Sequence, residues 1–235
     1  MSATGDLLGI ATGGLLAFKR ALSTTGHNIT NVNTDGYSRQ RVELATQTPQ
    51  LSGAGFIGSG VKVTGVTRAY DQFVTDQVRN SNASASGLNV YHQMASQLSN
   101  VLGDSSTGLS AGLNSFFNAV QGVANDPTSV PARQVLLGEG QSLVNRFHTL
   151  NKQLSDQRTS VNGQLKNAVN DINSLAGSIA SLNQSIVNET GKSGGQLPND
   201  LLDQRDQLLK ELSSKVAVST VTQDDGSVNV SIGKG

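Results

Sequence analysis

Cysteine and tryptophan are absent from the 235 residues, and histidine (3), tyrosine (3), methionine (2), proline (4) and phenylalanine (6) are scarce. Without cysteine there is no disulfide framework, and the redox compartment stays open. Charge is scarce too. Only 14% of residues are charged, and 17 Lys plus Arg balance 17 Asp plus Glu to a net charge of zero. A neutral chain with no basic cluster lacks the footprint that neutralises nucleic-acid phosphates, and it has no polybasic handle for an anionic membrane. No apolar run approaches the roughly 18 to 20 residues that cross a bilayer. The opening Met-Ser-Ala-Thr-Gly-Asp has no basic n-region, the first lysine being Lys19, so a cleavable secretory signal is not expected. With hydrophobic residues at 36%, the surface must consist largely of Ser, Thr, Asn and Gln.

What is present begins with a stripe. Leu8, Ala11, Leu15, Phe18, Leu22 and Ile29 recur in steps of three and four, with Thr25 in the one gap. This is a heptad seam, the pattern of a helix that packs lengthwise on another helix. Directly after it comes Asn28-Ile-Thr-Asn31-Val-Asn33-Thr34-Asp-Gly36-Tyr37-Ser-Arg39. It reads as a helix exit: Asn tolerates left-handed geometry, Thr-Asp-Gly turns, and Gly36 accepts a positive φ at little cost.

Gly-punctuated β character follows over residues 39–68, with Val42 and Leu44, then Phe56-Ile57, then alternating Val61, Val63 and Val66. A helix of about Tyr70 to Leu102 ends at Gly103-Asp104-Ser105-Ser106, and a shorter one, Leu109 to Ala124, stops at Asn125-Asp126-Pro127. The longest stripe starts near Pro131 and runs from Leu143 to Ile186, with a phase slip near Gln157 and Arg158. Unbroken to Glu189, such a helix would be roughly 85 Å long. Another helix covers Asn199 to Leu212. Alternating Val216, Val218 and Val221, Asp224-Asp225-Gly226, and then Val228, Val230 and Ile232 read as a hairpin.

The expected fold is mainly α: an elongated antiparallel helical bundle with long heptad helices, a Gly-rich β linker and a C-terminal β-hairpin. The expected segments are a terminal assembly helix with its Asn-rich exit (1–38), the linker (39–68), the bundle (69–213) and the start of a further β region (214–235). A lone hairpin is marginal in water, which suggests a fragment of a longer protein.

Other motifs carry little chemistry. Gly53-Ala-Gly55-Phe-Ile-Gly58 matches a dinucleotide fingerprint, but Ser-Gly-Val-Lys-Val-Thr after it reads as strand where a helix is required. Gly191-Lys192-Ser193 lacks the earlier glycine of a P-loop, Ile186 standing there. His27, His92 and His148 are too dispersed for a metal site and fit helix surfaces. Asp203 and Asp206, beside Arg205, fit surface ion pairing on a helix. No serine sits in a nucleophile elbow. No catalytic, cofactor-binding or metal-binding residue is expected.

The seam with its exit resembles the start of bacterial flagellar axial proteins, and Gly36-Tyr37-Ser38-Arg39-Gln40 narrows the likeness to the hook-associated branch. Further blocks support it: Arg68-Ala-Tyr-Asp-Gln-Phe73, Pro131-Ala-Arg-Gln-Val-Leu136, Leu143-Val-Asn-Arg-Phe147 and Asn199-Asp-Leu-Leu-Asp-Gln-Arg-Asp206. The last block separates this branch from hook and rod proteins, which share only the start. The resemblance implies a structural, non-enzymatic adaptor at the hook–filament junction, with no cofactor. It implies self-association in a helical tube, contacts with hook protein and with the second hook–filament junction protein, and export by the flagellar apparatus without a cleaved signal to an extracellular place. Neither membrane insertion nor nucleic acid is implied. In such proteins the terminal helix pairs with a C-terminal helix, which this chain does not include. Residues 1–66 are expected to be disordered in a monomer and to fold on assembly. Asn28, Asn31 and Asn33 either fix register between subunits or only cap locally. The alternatives are a hook-type or rod-type axial protein and an enzyme carried on a flagellar scaffold.

Overall fold

The computed structural model describes residues 3–52, 55–103 and 108–233. Among the described residues five helices and three two-stranded antiparallel sheets follow one another: α1 (Ala3–Thr30), β1 (Gln40–Thr46), β2 (Gln50–Ser52), β3 (Gly55–Ile57), β4 (Val61–Arg68), α2 (Gln72–Gly103), α3 (Leu109–Asn125), α4 (Val130–Lys192), α5 (Asn199–Ser213), β5 (Val218–Thr222) and β6 (Val228–Ile232). The mainly α class and the C-terminal hairpin stand as expected from periodicity. The Asp104-Ser105-Ser106 stop lies outside the described residues, as do Gly53 and Ala54 of the glycine motif.

The chain forms two units. One comprises 1–83 with 173–235 and the other 84–172, so α2 and α4 run through both. The segment boundaries expected at 38/39, 68/69 and 213/214 all fall within the first unit.

In the second unit α3 lies on α4. An added Cβ at Gly112 would come within 2.7 Å of Arg146 Cδ and 3.3 Å of Leu143, and one at Gly140 within 3.7 Å of Phe116. Glycine at these points lets the helices approach closely. Arg146 Nη1 donates to the Gly108 carbonyl before α3, and Gln157 Nε2 donates to Gln97 Oε1, which joins α4 to α2. Leu150 and Ala119 are buried here.

The first unit holds most of the buried apolar residues: Ile179 and Ile186 of α4, Leu202, Leu209 and Leu212 of α5, and Val218 and Val228 of the C-terminal hairpin. That hairpin is therefore not isolated. Asn183 on α4 donates from Nδ2 to the Val228 carbonyl and accepts from the Val228 N–H at Oδ1, and Arg205 on α5 donates to the Gly226 carbonyl. The Asp224–Ser227 turn closes on Gly226 at φ +84°, with Asp225 Oδ1 accepting from the Ser227 N–H and hydroxyl.

The glycine-rich stretch has the β character expected of it, as a paired hairpin. β1 pairs with β4 from Gln40↔Arg68 to Thr46↔Val61, with a bulge between Glu43 and Leu44. α1 lies along both strands. Close approach is possible because glycines face the contact: an added Cβ at Gly13 would sit 3.3 Å from the Val61 carbonyl, and one at Gly60 (φ +89°) 3.3 Å from Ile10 Cα. α1 is thus already helical, packed and tethered, which differs from the expected disordered arm. The β1–β4 hairpin under its small-residue face is the partner that an isolated helix would lack.

Candidate functional site: an assembly face and its neck

α1 is amphipathic in an inverted sense. Its inward positions are Ile10, Gly13, Gly14, Ala17, Ala21, Thr24, His27, Asn28 and Asn31, all partly or fully buried, with Ala17 at 2% exposure. Its large apolar side chains other than Ile10 point to solvent. Leu8 is 67% exposed, Leu15 70%, Phe18 73%, Leu22 74% and Ile29 67%; Ala11 is exposed with them, as are Leu7 and Leu16. The whole seam read from the sequence thus lies on one open face of the helix. Contiguous exposed apolar surface of this kind marks an interaction site.

Where α1 ends, the Asn-rich exit folds back on it to form a neck between helix and hairpin. Asn28 does what a neighbouring strand would do. Its Oδ1 accepts the Gln40 N–H at 2.8 Å and its Nδ2 donates to the Gln40 carbonyl at 2.9 Å. The same Oδ1 accepts the Tyr37 hydroxyl at 2.7 Å. With its one proton given to Asn28, Tyr37 can only accept from His27 Nδ1, 3.1 Å away, so the geometry assigns the proton of neutral His27 to Nδ1. The two rings also meet edge to face at 5.5 Å. Burial, with Asp200 and Asp203 nearby, raises the Tyr37 pKa and keeps the phenol a donor. Asn31 donates to the His27 carbonyl and accepts from the Thr34 hydroxyl. Gly36 turns at φ +81°. Asn33 and Arg39 are exposed. Of the two roles left open for the asparagines, Asn28 and Asn31 perform the local one.

The neck is fastened to α5. Asp203 Oδ2 accepts the Ser38 N–H at 2.8 Å, and its Oδ1 accepts Arg68 Nη1 at 2.8 Å. Arg68 also pairs with Asp206 at 2.6 Å and lies 4.0 Å over the Tyr70 ring. Arg68 and Asp203 expose only 10% and 7% of their side chains. Asp200 Oδ1 accepts from Gln40 Nε2 at 2.7 Å. The outer edge of β4 is closed by amides: Asn199 Nδ2 donates to the Val66 carbonyl and Gln196 Nε2 to the Thr64 carbonyl.

This corrects the reading of the Asp203–Asp206 block. Asp203 and Arg205 are buried rather than on the surface, and they do not pair with each other. Asp203 turns to Arg68, whereas Arg205 turns to Gly226 and Asn183. Residues two apart on a helix point in different directions, so the contacts belong to two faces. Sequence reasoning also missed Gln40, Arg68 and the neck role of His27. The available signal was the spacing of Asp200, Asp203 and Gln207, which places three polar residues on one face of a helix whose apolar stripe lies elsewhere. Among the described residues there is no group of three or more His, Cys, Asp or Glu side chains able to hold a metal.

Comparison with known proteins meets this geometry at both ends. The model of the flagellar hook-associated protein FlgK helical domain matches residues 95–235, and that of the flagella basal body rod protein matches 8–37, which is α1 with its neck. The chain belongs to the flagellar hook-associated protein FlgK family. Flagellar hook-associated protein 1 of Salmonella typhimurium is 42% identical over 230 residues, 98% of this chain and 42% of the relative. Its counterpart in Bacillus subtilis is 36% identical over 233 residues, 95% of this chain and 46% of the relative. The chain therefore spans less than half the length of these relatives. The solved structure of the flagellar hook junction protein FlgK from Burkholderia pseudomallei superposes with a TM-score of 0.61 at 32% identity, covering 67% of this chain and 27% of that one. The FlgK assignment separates this chain from axial proteins that share only the rod-type start.

Proposed function

We propose that this chain is part of a structural adaptor at the flagellar hook–filament junction and that α1 is its polymerisation element. The observation that carries the reading is the inverted amphipathicity of α1: small residues pack on the chain's own hairpin, and Leu8, Leu15, Phe18, Leu22 and Ile29 remain in solvent. Burying each such side chain contributes about 1.5–3 kcal/mol, so the face holds a large gross drive for association. Much of that is offset by the lost freedom of the joined subunits. The partners on this reading are further copies in a helical tube, hook protein on one side and the second junction protein on the other. On the same reading the chain leaves the cell through the flagellar export apparatus. Its role is mechanical rather than catalytic, and a zymogram over several pH values should show no clearing.

The test uses Leu15→Asp and Leu22→Asp in the full-length protein. Filament attachment to the hook should be lost, while the thermal melt of the soluble chain stays unchanged. A lowered melt would place these residues in the chain's own core, and normal attachment would remove α1 from the assembly.

A further inference from the structure

We propose that α5 is the template that sets the direction of α1, with Asp203 as the positioning residue. The mechanism follows from the geometry of the first unit alone, and its consequence for assembly rests on the function proposed for α1.

α5 presents two stripes. Leu202, Leu209 and Leu212 are buried, and Arg205 on the same side reaches the turn of the C-terminal hairpin. Asp200, Asp203 and Gln207, at spacings of three and four, meet the neck one after another. Asp200 takes Gln40, with His27 Nε2 3.8 Å away; Asp203 takes Ser38 and Arg68; Gln207 packs against Gly36, 3.2 Å from where a Cβ there would stand.

The part that Asp203 holds is decisive. Ser38 enters β1 and Arg68 ends β4, where it is the register partner of Gln40. One carboxylate thus grips both feet of the hairpin on which α1 lies. α1 and the β1–β4 hairpin are bound to each other by Asn28, Tyr37 and the Gly13 and Gly60 contacts, so these elements behave as one piece. The piece is joined to the rest of the unit by the short segment Ala69–Asp71 between β4 and α2, where the Ala69 N–H donates to the Arg39 carbonyl. That bond ties the joint back to the piece and does not fix where the piece points relative to the body. The long-range contacts to α5 do that. Gln196 and Asn199, just before and at the start of α5, add two more on β4.

The chain has no cysteine, so spin labels can be placed cleanly at Lys19→Cys on the outer face of α1 and Thr222→Cys at the end of β5, both exposed and in the same unit. Pulsed dipolar spectroscopy on the 235-residue chain should give one narrow distance. Asp203→Asn, which removes the charge facing Arg68 but preserves shape, should broaden that distribution at least about twofold, and Asp203→Ala more. Amide exchange in 31–41 and 64–70 should rise about tenfold or more, while 10–27 and 218–232 stay unchanged. An unchanged distance distribution in both variants would overturn the proposal. So would a uniform rise of exchange across the unit, because that would make Asp203 a general support of stability. If a variant loosens the neck locally yet filaments attach normally while Leu15→Asp abolishes attachment, the coupling of direction to assembly fails. If Leu15→Asp also attaches normally, the assembly reading of α1 fails instead, and the distance measurement still decides the template.

Discussion

Asn28 offers a graded test of the neck, because aspartate and alanine remove different parts of what its amide does. The native side chain makes three bonds: two accepted at Oδ1, from Gln40 N–H and Tyr37 O–H, and one donated by Nδ2 to the Gln40 carbonyl. Asn28→Asp keeps both acceptor functions and loses only the donor, leaving the Gln40 carbonyl against a carboxylate. A half-buried acceptor left without its partner costs about 1–3 kcal/mol, and the two remaining bonds, now charge-assisted, recover part of it. The net loss should be about 1 kcal/mol, near fivefold in local opening. Asn28→Ala removes all three bonds at about 1 kcal/mol each and frees Tyr37 to turn away, so local opening should rise about a hundredfold. Amide exchange at Gln40 reads the difference directly, since its N–H keeps an acceptor in the aspartate variant and has none in the alanine variant. The expected order of protection is Asn, then Asp, then Ala. If the aspartate variant exchanges faster than alanine, repulsion at the carbonyl governs the site and the strand-like role of the amide is wrong. No change in either would mean that the neck is held without Asn28.

Three further outcomes follow from the same contacts. Gly226→Ala should lower the melting of the first unit by about 2–3 kcal/mol, because φ is +84° and the new Cβ would lie 2.7 Å from Leu197 and 3.3 Å from the fully buried Ile186; differential scanning calorimetry is the check. The Tyr37 pKa is raised above the usual phenol value of 10.0, so the stability linked to its proton is fully present below that pH and lost as pH climbs through the folded value. An absorbance titration of a Tyr70→Phe, Tyr91→Phe chain should therefore show the native phenolate forming at higher pH than the urea-unfolded one. Ala17→Glu should destabilise α1 on its hairpin by several kcal/mol by placing a carboxylate at a 2% exposed position, visible as loss of amide protection in α1 and β1.

Much of the fold could be read from local pattern. The exit of α1, the limits of α3 at Leu109 and Asn125, the start of α5 at Asn199 and the Asp-Asp-Gly turn of the last hairpin are all signalled by residues within a few positions of the event. What escaped was every contact whose partners lie far apart in sequence. Asp203 and Ser38 are 165 residues apart, and Asn199 and Val66 are 133 apart. No periodicity announces such a meeting, and an Asp-x-x-Asp spacing beside an arginine fits a solvated helix equally well. The stripe of Leu8, Leu15, Phe18, Leu22 and Ile29 was legible as one apolar face of a helix, whereas the packing of the other side of α1 was not.

That other side explains why the seam is free. A helical stripe of large apolar residues ordinarily faces the chain's own core, and the same steps of three and four would describe α1 if it did. The difference lies in what stands opposite. Gly13, Ala17 and Ala21 form a second stripe, small instead of polar, which lets the backbone of α1 settle on β1 and β4. Burial of small residues satisfies the helix without consuming its large ones, and the amide ladder at Asn28 then fixes its end. A helix held by its small face and its neck can keep Leu15, Phe18 and Leu22 in water. On this argument, enlarging the inward stripe should loosen α1 from the hairpin without touching the seam. Gly13→Leu, whose side chain would grow from a point 3.3 Å from the Val61 carbonyl, should raise exchange in β4 while Leu22→Asp leaves it unchanged. Equal effects from the two substitutions would mean that the two faces of α1 are not separate in function.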